Sequence, residues 1–182
     1  EFHAAIVRST HNEFMMRLMP LISEAVAAAM TSGGHTEQLA EDVLREEQMI
    51  HPERAFLARW QGPVVVRADP GLVKQVMRIL MDNSVKYSGP EGRVYLRVSA
   101  QKDYARVTVQ DEGMGIVPQA IPHIFDRFYR TDSSRARQTG GTGLGLSIAR
   151  WIVDRHGGWF EVVSREDVGT RITFVLPLEG TA

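Results

Sequence analysis

The 182-residue chain is 43% hydrophobic and 24% charged, enough for one well-buried domain with an appended element. Its 21 Lys and Arg are balanced by 22 Asp and Glu, leaving no basic excess to hold a phosphate backbone or an anionic membrane, so no nucleic-acid partner is expected. The lack of cysteine excludes disulfides and thiolate metal sites.

Taken in chain order, Ile6, Phe14, Leu18, Leu21, Ile22, Ala25 and Ala29 recur at helical spacing with charged residues between them. This predicts a long amphipathic helix over residues 5–30, kinked or divided at Pro20. Its most apolar stretch contains Glu24 and falls short of the ~20 residues that a membrane helix needs, so no membrane contact is expected of it. Such a stripe requires a partner helix, from a homodimer mate or from a segment outside this sequence. Thr31-Ser32-Gly33-Gly34 ends the pattern, which sets the expected organisation as a helical element over 1–34, a hinge at Gly33-Gly34 and a domain over 35–182. Thr36 is placed to cap a second helix over 38–48. A beta-branched run follows at 64–68, and Pro70 then opens a helix carrying Val73, Val76, Met77, Leu80 and Met81, which Ser88-Gly89-Pro90 stops. Residues 93–100 and 104–110 alternate as a hairpin about Lys102-Asp103, and 159–164 pairs with 170–176.

The informative residues lie around these elements. On the helix after Pro70, Asn83 and Lys86 share one face, and the Asn83 amide oxygen is a hard neutral ligand suited to magnesium. Asp111-Glu112-Gly113-Met114-Gly115-Ile116 begins where the second hairpin strand ends. Its carboxylate can accept the adenine amine, although the string alone fits an ordinary surface turn equally well. Thr139-Gly140-Gly141-Thr142-Gly143-Leu144-Gly145-Leu146 runs directly into a helical pattern, where its amides can cradle phosphate. No lysine follows these glycines and no strand enters them directly, so they match neither the Walker loop nor the dinucleotide fingerprint. Between the glycine strings, Phe125, Phe128 and Tyr129 lie beside Arg127, Arg130, Arg135 and Arg137, the composition of a lid over an anion.

Asp82-Asn83-Ser84-Val85-Lys86-Tyr87-Ser88, Asp111 to Gly115, Ile124-Phe125-Asp126-Arg127-Phe128-Tyr129-Arg130 and Gly141 to Leu146 resemble, in order, the N box, first glycine box, F box and second glycine box of bacterial sensor histidine kinases. The resemblance covers residues 36–178 and implies an α+β fold. This is a two-layer sandwich of the Bergerat ATP-binding type, with a mixed sheet packed on helices and ATP with magnesium as ligand. By motif position it implies that Asp111 binds the adenine amine, Asn83 the metal, Lys86 and Tyr87 the phosphate and ribose region, and Gly141, Gly143 and Gly145 the phosphates. Gly113, Gly115, Ile116, Phe128, Thr142, Leu144 and Leu146 join the nucleotide site by the same carry-over. Phe128 is also expected, with Phe125, to pin the lid to the core. Asn83, Lys86, Arg127 and Arg130 are the implied catalytic residues, the arginines neutralising the γ-phosphate during transfer.

Two departures stand out. Many relatives carry a second Asn one turn before the metal-binding one, where this sequence has Ile79, which cannot hold metal or water. The acceptor motif around a phosphorylated histidine is also missing, since Pro20 lies too far from His11 to complete it, and residues 6–30 better resemble the second helix of the acceptor hairpin. The expected function is therefore a kinase domain that phosphorylates a histidine on a helix of its own full-length chain or dimer mate. That histidine would relay phosphate to a response-regulator aspartate. ATP use implies a cytoplasmic location, and the resemblance alone implies a full-length protein anchored in the membrane. The alternative is a nucleotide-binding but catalytically degenerate docking module.

Overall fold

A computed structural model describes residues 33–130 and 142–180. The helix expected over 5–30, His11, Arg135, Arg137 and Gly141 lie outside the described residues. Chain order is β1 (Gly33–His35), α1 (Thr36–Ile50), β2 (Phe56–Trp60), β3 (Val65–Arg67), α2 (Pro70–Tyr87), β4 (Val94–Gln101), β5 (Tyr104–Asp111), a 3-10 turn (Ile121–His123), α3 (Gly145–Arg155), β6 (Trp159–Arg165) and β7 (Gly169–Pro177).

The period-two patterns build the sheet as expected. In β4 and β5, Val94, Leu96, Val98, Ala105, Val107 and Val109 are buried on one face, and Lys102 adopts a left-handed φ of 54° in the turn between the strands. The five-stranded sheet has the order β2-β4-β5-β7-β6, with β2 parallel to β4 and all other pairs antiparallel. Its buried face meets Val73, Val76, Met77, Leu80 and Met81 of α2 and Ala149, Ile152 and Val153 of α3, which gives the expected two-layer α+β sandwich. The other face is polar. There the Arg106–Glu161 ion pair and the edge-on contact of Tyr104 with Trp159, 4.8 Å between centroids, lie across Thr173 and Val175, both buried.

Helix α2 starts as its sequence predicts, with Pro70 in the first turn and the Asp69 carboxylate accepting from the Leu72 amide at 2.9 Å. A buried histidine joins its start to the end of α3: His156 Nε2 accepts from the Asp69 amide at 3.1 Å, and Nδ1 donates to the Ile152 carbonyl at 2.8 Å. Helix α1 departs from expectation. Its N-cap is His35, and Thr36 is the first helical residue with its hydroxyl buried and unpartnered, while Glu37 accepts from the Val64 amide at 2.9 Å. Gly33 and Gly34, read as a hinge, are paired with Arg67 and Val66 in a short antiparallel ladder. Among the described residues no helix is long and apolar enough to cross a membrane.

Candidate nucleotide-binding site

Helix α2 turns Asn83, Ser84 and Tyr87 toward the end of β5, where Asp111 is the last strand residue. Thr170 lies opposite Asp111 in the β5–β7 register and brings a second strand to the same place. With Ile116, Ile124 and Tyr129 from the connecting loop and Leu146 from α3, these residues line a narrow cavity of about 110 Å³. A wider cavity of about 310 Å³ opens beside it, lined by Ile79, Asp82, Lys86, Thr142, Gly143 and Gly145. Both cavities share Asn83, Tyr87, Ile124, Tyr129, Arg130 and Leu146, so they form two ends of one cleft.

The narrow end centres on a buried carboxylate. Asp111 Oδ1 accepts from the Gly113 amide at 2.9 Å and the Thr170 amide at 3.3 Å, and Oδ2 accepts from the Ser84 hydroxyl at 3.1 Å. Burial pushes the Asp111 carboxyl above its ordinary value, and these three hydrogen bonds oppose the shift without cancelling it. Gly113 allows the close approach, because a Cβ there would stand 2.4 Å from the Tyr87 carbonyl oxygen. That carbonyl instead accepts from the Met114 amide at 3.2 Å, tying α2 to the first glycine string.

The wide end is built differently. Lys86 Nζ lies 5.0 Å from the centroid of the Tyr87 ring, and Tyr87 itself is exposed at the mouth. The N-cap residue of α3, Leu144, makes no side-chain cap hydrogen bond, and a helix start of this kind suits an anion. Gly143 has φ 69° and its carbonyl accepts from the Phe128 amide at 3.0 Å, which folds the F-box turn onto the second glycine string. Behind α2, Glu47 of α1 is buried. Its carboxyl is pushed up to about 7 by burial, with Asp82 and Glu46 adding to the effect and Arg78 opposing it.

Among the residues read from the sequence, Asn83, Lys86, Tyr87, Asp111, Gly115, Ile116, Arg130, Thr142, Gly143, Gly145 and Leu146 line one or both cavities. Gly113 and Leu144 act beside the cleft, the first on Asp111 and the second as the carbonyl acceptor of Ser147 at 2.8 Å. Arg127 lines neither cavity, unlike Arg130. Phe125 does pin the loop to the core, stacking 4.8 Å from Phe160, but Phe128 does not. A left-handed φ of 62° leaves Phe128 63% exposed, and Tyr129 takes the cleft wall in its place. Ser84 and Thr170 were missed, because each reaches Asp111 from a distant part of the chain.

The family model for "Histidine kinase-, DNA gyrase B-, and HSP90-like ATPase" matches residues 68–180, which hold this entire cleft. The chain belongs to that ATPase family. Within it, the sensor histidine kinase YkoH of Bacillus subtilis (strain 168) is 40% identical over 134 residues, covering 74% of this chain and 29% of YkoH. The solved mycobacterial sensor histidine kinase MprB superposes with a TM-score of 0.74 at 29% identity, over 81% of this chain and 98% of that one. Full-length ShkA, solved in complex with AMPPNP, gives a TM-score of 0.69 at 27% identity, over 83% of this chain and 32% of that one. The chain therefore spans less than a third of the curated relative YkoH. The sandwich is the fold of histidine kinase catalytic domains, as the four motifs implied.

Proposed function

We propose that this chain is the ATP-binding catalytic domain of a sensor histidine kinase, which transfers the γ-phosphate of ATP to a histidine on another segment for relay to a response-regulator aspartate. The observation that carries this reading is the joining of a buried acceptor, Asp111, to a cation- and glycine-lined cavity through shared walls. The Asp111 carboxylate accepts from the adenine amine, with Ser84, Gly113 and Thr170 holding its oxygens in place. Lys86, Arg130 and the amides about Gly143 and Gly145 face the phosphates. The acceptor imidazole is itself the nucleophile. Its nitrogen bonds to the γ-phosphorus, the bond from that phosphorus to the bridging oxygen breaks with its electron pair staying on ADP, and the second ring nitrogen releases its proton to solvent.

Magnesium fits the wide end in kind. Asn83 offers a hard amide oxygen there, and among the described residues no group of three or more His, Asp or Glu is placed to hold a metal ion, as befits one that takes its other oxygens from phosphates and water. Bound there, it would offset phosphate charge during transfer. One observation favours the alternative of a domain that binds nucleotide without turning it over. Ile79 is buried against Gly145, 3.3 Å from where a Cβ on that glycine would lie, and presents carbon to the wide cavity.

Calorimetric titration with AMPPNP, with and without magnesium, tests the site, and transfer to a histidine-bearing helix supplied in trans separates the two readings. The expected result is magnesium-dependent binding followed by transfer. Binding without transfer selects the degenerate module, and absence of binding overturns both readings.

A further inference from the structure

Arg54 lies in the loop between α1 and β2, partly buried, remote in sequence from every motif and lining neither cavity. Its guanidinium nevertheless grips the end of α2. Nη1 donates to Ser88 Oγ at 2.8 Å and to the Gly89 and Gly92 carbonyls at 2.9 Å each, and Nη2 donates to the Val85 carbonyl at 3.4 Å. The last carbonyls of a helix lack amide partners and carry partial negative charge, so one planar cation can gather several of them and fix the turn. Ser88 passes the constraint inward, since its hydroxyl and its amide both donate to the Ser84 carbonyl, at 2.6 and 3.1 Å. The Ser84 hydroxyl then donates to Asp111 Oδ2. Ser84, Ser88 and Asp111 are all buried, so this chain of contacts runs inside the protein, where hydrogen bonds are little weakened by water.

We propose that Arg54 is a positioning residue of the nucleotide site: through Ser88 it sets the last turn of α2 and thereby holds Ser84 on Asp111 in the arrangement that distinguishes adenine from guanine. The proposal rests on the reading of Asp111 as the adenine acceptor. Guanine presents a carbonyl where adenine presents its amine, so a firmly oriented carboxylate repels guanine and welcomes adenine. A carboxylate free to turn away loses more of its attraction for adenine than it gains for guanine. Arg54 thus acts on base selectivity without touching the nucleotide.

The test measures AMPPNP and its guanine counterpart against the full chain, Arg54→Met, Arg54→Lys and Ser88→Ala, with thermal melting to establish that each variant is folded. Arg54→Met is expected to weaken AMPPNP about tenfold while changing the guanine analogue less than about twofold, the size of effect set by one charge-assisted network. Arg54→Lys, which keeps the charge but not the fork, is expected to lose about threefold. In a Ser84→Ala background Arg54→Met should cost less than about twofold, because the link it acts through is already missing. Equal loss of both analogues, or full loss in the Ser84→Ala background, overturns the proposal and makes Arg54 a general brace of the fold. If Arg54→Met does not fold, Arg54→Lys and Ser88→Ala decide the matter by the same ratio of analogues. Lack of AMPPNP binding by the unaltered chain defeats the reading of Asp111 and this proposal together. Adenine-selective binding that ignores Arg54→Lys and Ser88→Ala defeats this proposal alone.

Discussion

The two ends of the cleft solve different physical problems. At the narrow end one carboxylate is buried among fixed donors, Ser84, Gly113 and Thr170, so the cost of orienting it was met when the chain folded. At the wide end the groups are long cations, glycine backbone and the start of a helix, open enough to follow a flexible triphosphate. On the proposed reading, discrimination belongs to the end with little freedom, and affinity for charge belongs to the end with more.

The largest effect should come from Asp111→Asn, which replaces an acceptor with an amide that also carries donors. AMPPNP binding is expected to weaken about 100-fold, close to 3 kcal/mol, and a calorimetric loss below about fivefold would remove the distinction between the ends. Gly113→Ala should follow, since its methyl group would press on the Tyr87 carbonyl. We expect about 2 kcal/mol of lost stability in urea unfolding, together with weakened adenine binding. Lys86→Ala sharpens the contrast from the other end. It should weaken AMPPNP about tenfold at low salt and flatten the salt dependence of binding, whereas the Asp111→Asn loss should persist at high salt.

The smallest effect concerns the support behind α2. The folded chain favours the neutral acid at Glu47, because its carboxyl sits at about 7 against an ordinary value of 4.5. Between those values the folded state holds a proton that the unfolded state has released, so the favourable contribution is complete below the lower value and fades as pH rises through the upper one. Glu47→Gln, neutral at every pH, should unfold at higher urea than the parent by about 1 kcal/mol near pH 8 and match it near pH 4. A difference that does not change with pH would mean that Glu47 carries no such proton.

Motifs whose chemistry is local in sequence were legible. Asn83 and Lys86 fall on one helix face, the hairpin turns at Lys102-Asp103, and Pro70 opens α2, each fixed by neighbours within a few residues. The readings that failed were decided by distant parts of the chain. Thr36 does not cap α1, because the chain enters through a ladder with β3 and the Thr36 amide donates to the Val64 carbonyl at 2.8 Å. Strand β2 went unread because, as a sheet edge, its central residues Leu57, Ala58 and Arg59 are all exposed and leave no alternation. Phe128 misses the place expected of it because one left-handed backbone angle, stabilised by a carbonyl on the second glycine string, leaves its ring exposed and the cleft wall to Tyr129. Neither Ser84 nor Thr170 carries a signal of its own, and both matter only once Asp111 stands beside them.

The pairing of β5 with β7 has a bearing on biosynthesis. Thr170, which completes the grip on Asp111, lies 59 residues further along the chain, in the last strand described. A nascent chain that has released only its first hairpin would hold Asn83, Lys86 and Asp111, yet lack the inserted strand that makes their cleft. On the proposed reading, competence to hold nucleotide arrives with β7, and ATP, abundant wherever ribosomes work, would stabilise chains that have folded this strand into the sheet while passing over those that have not.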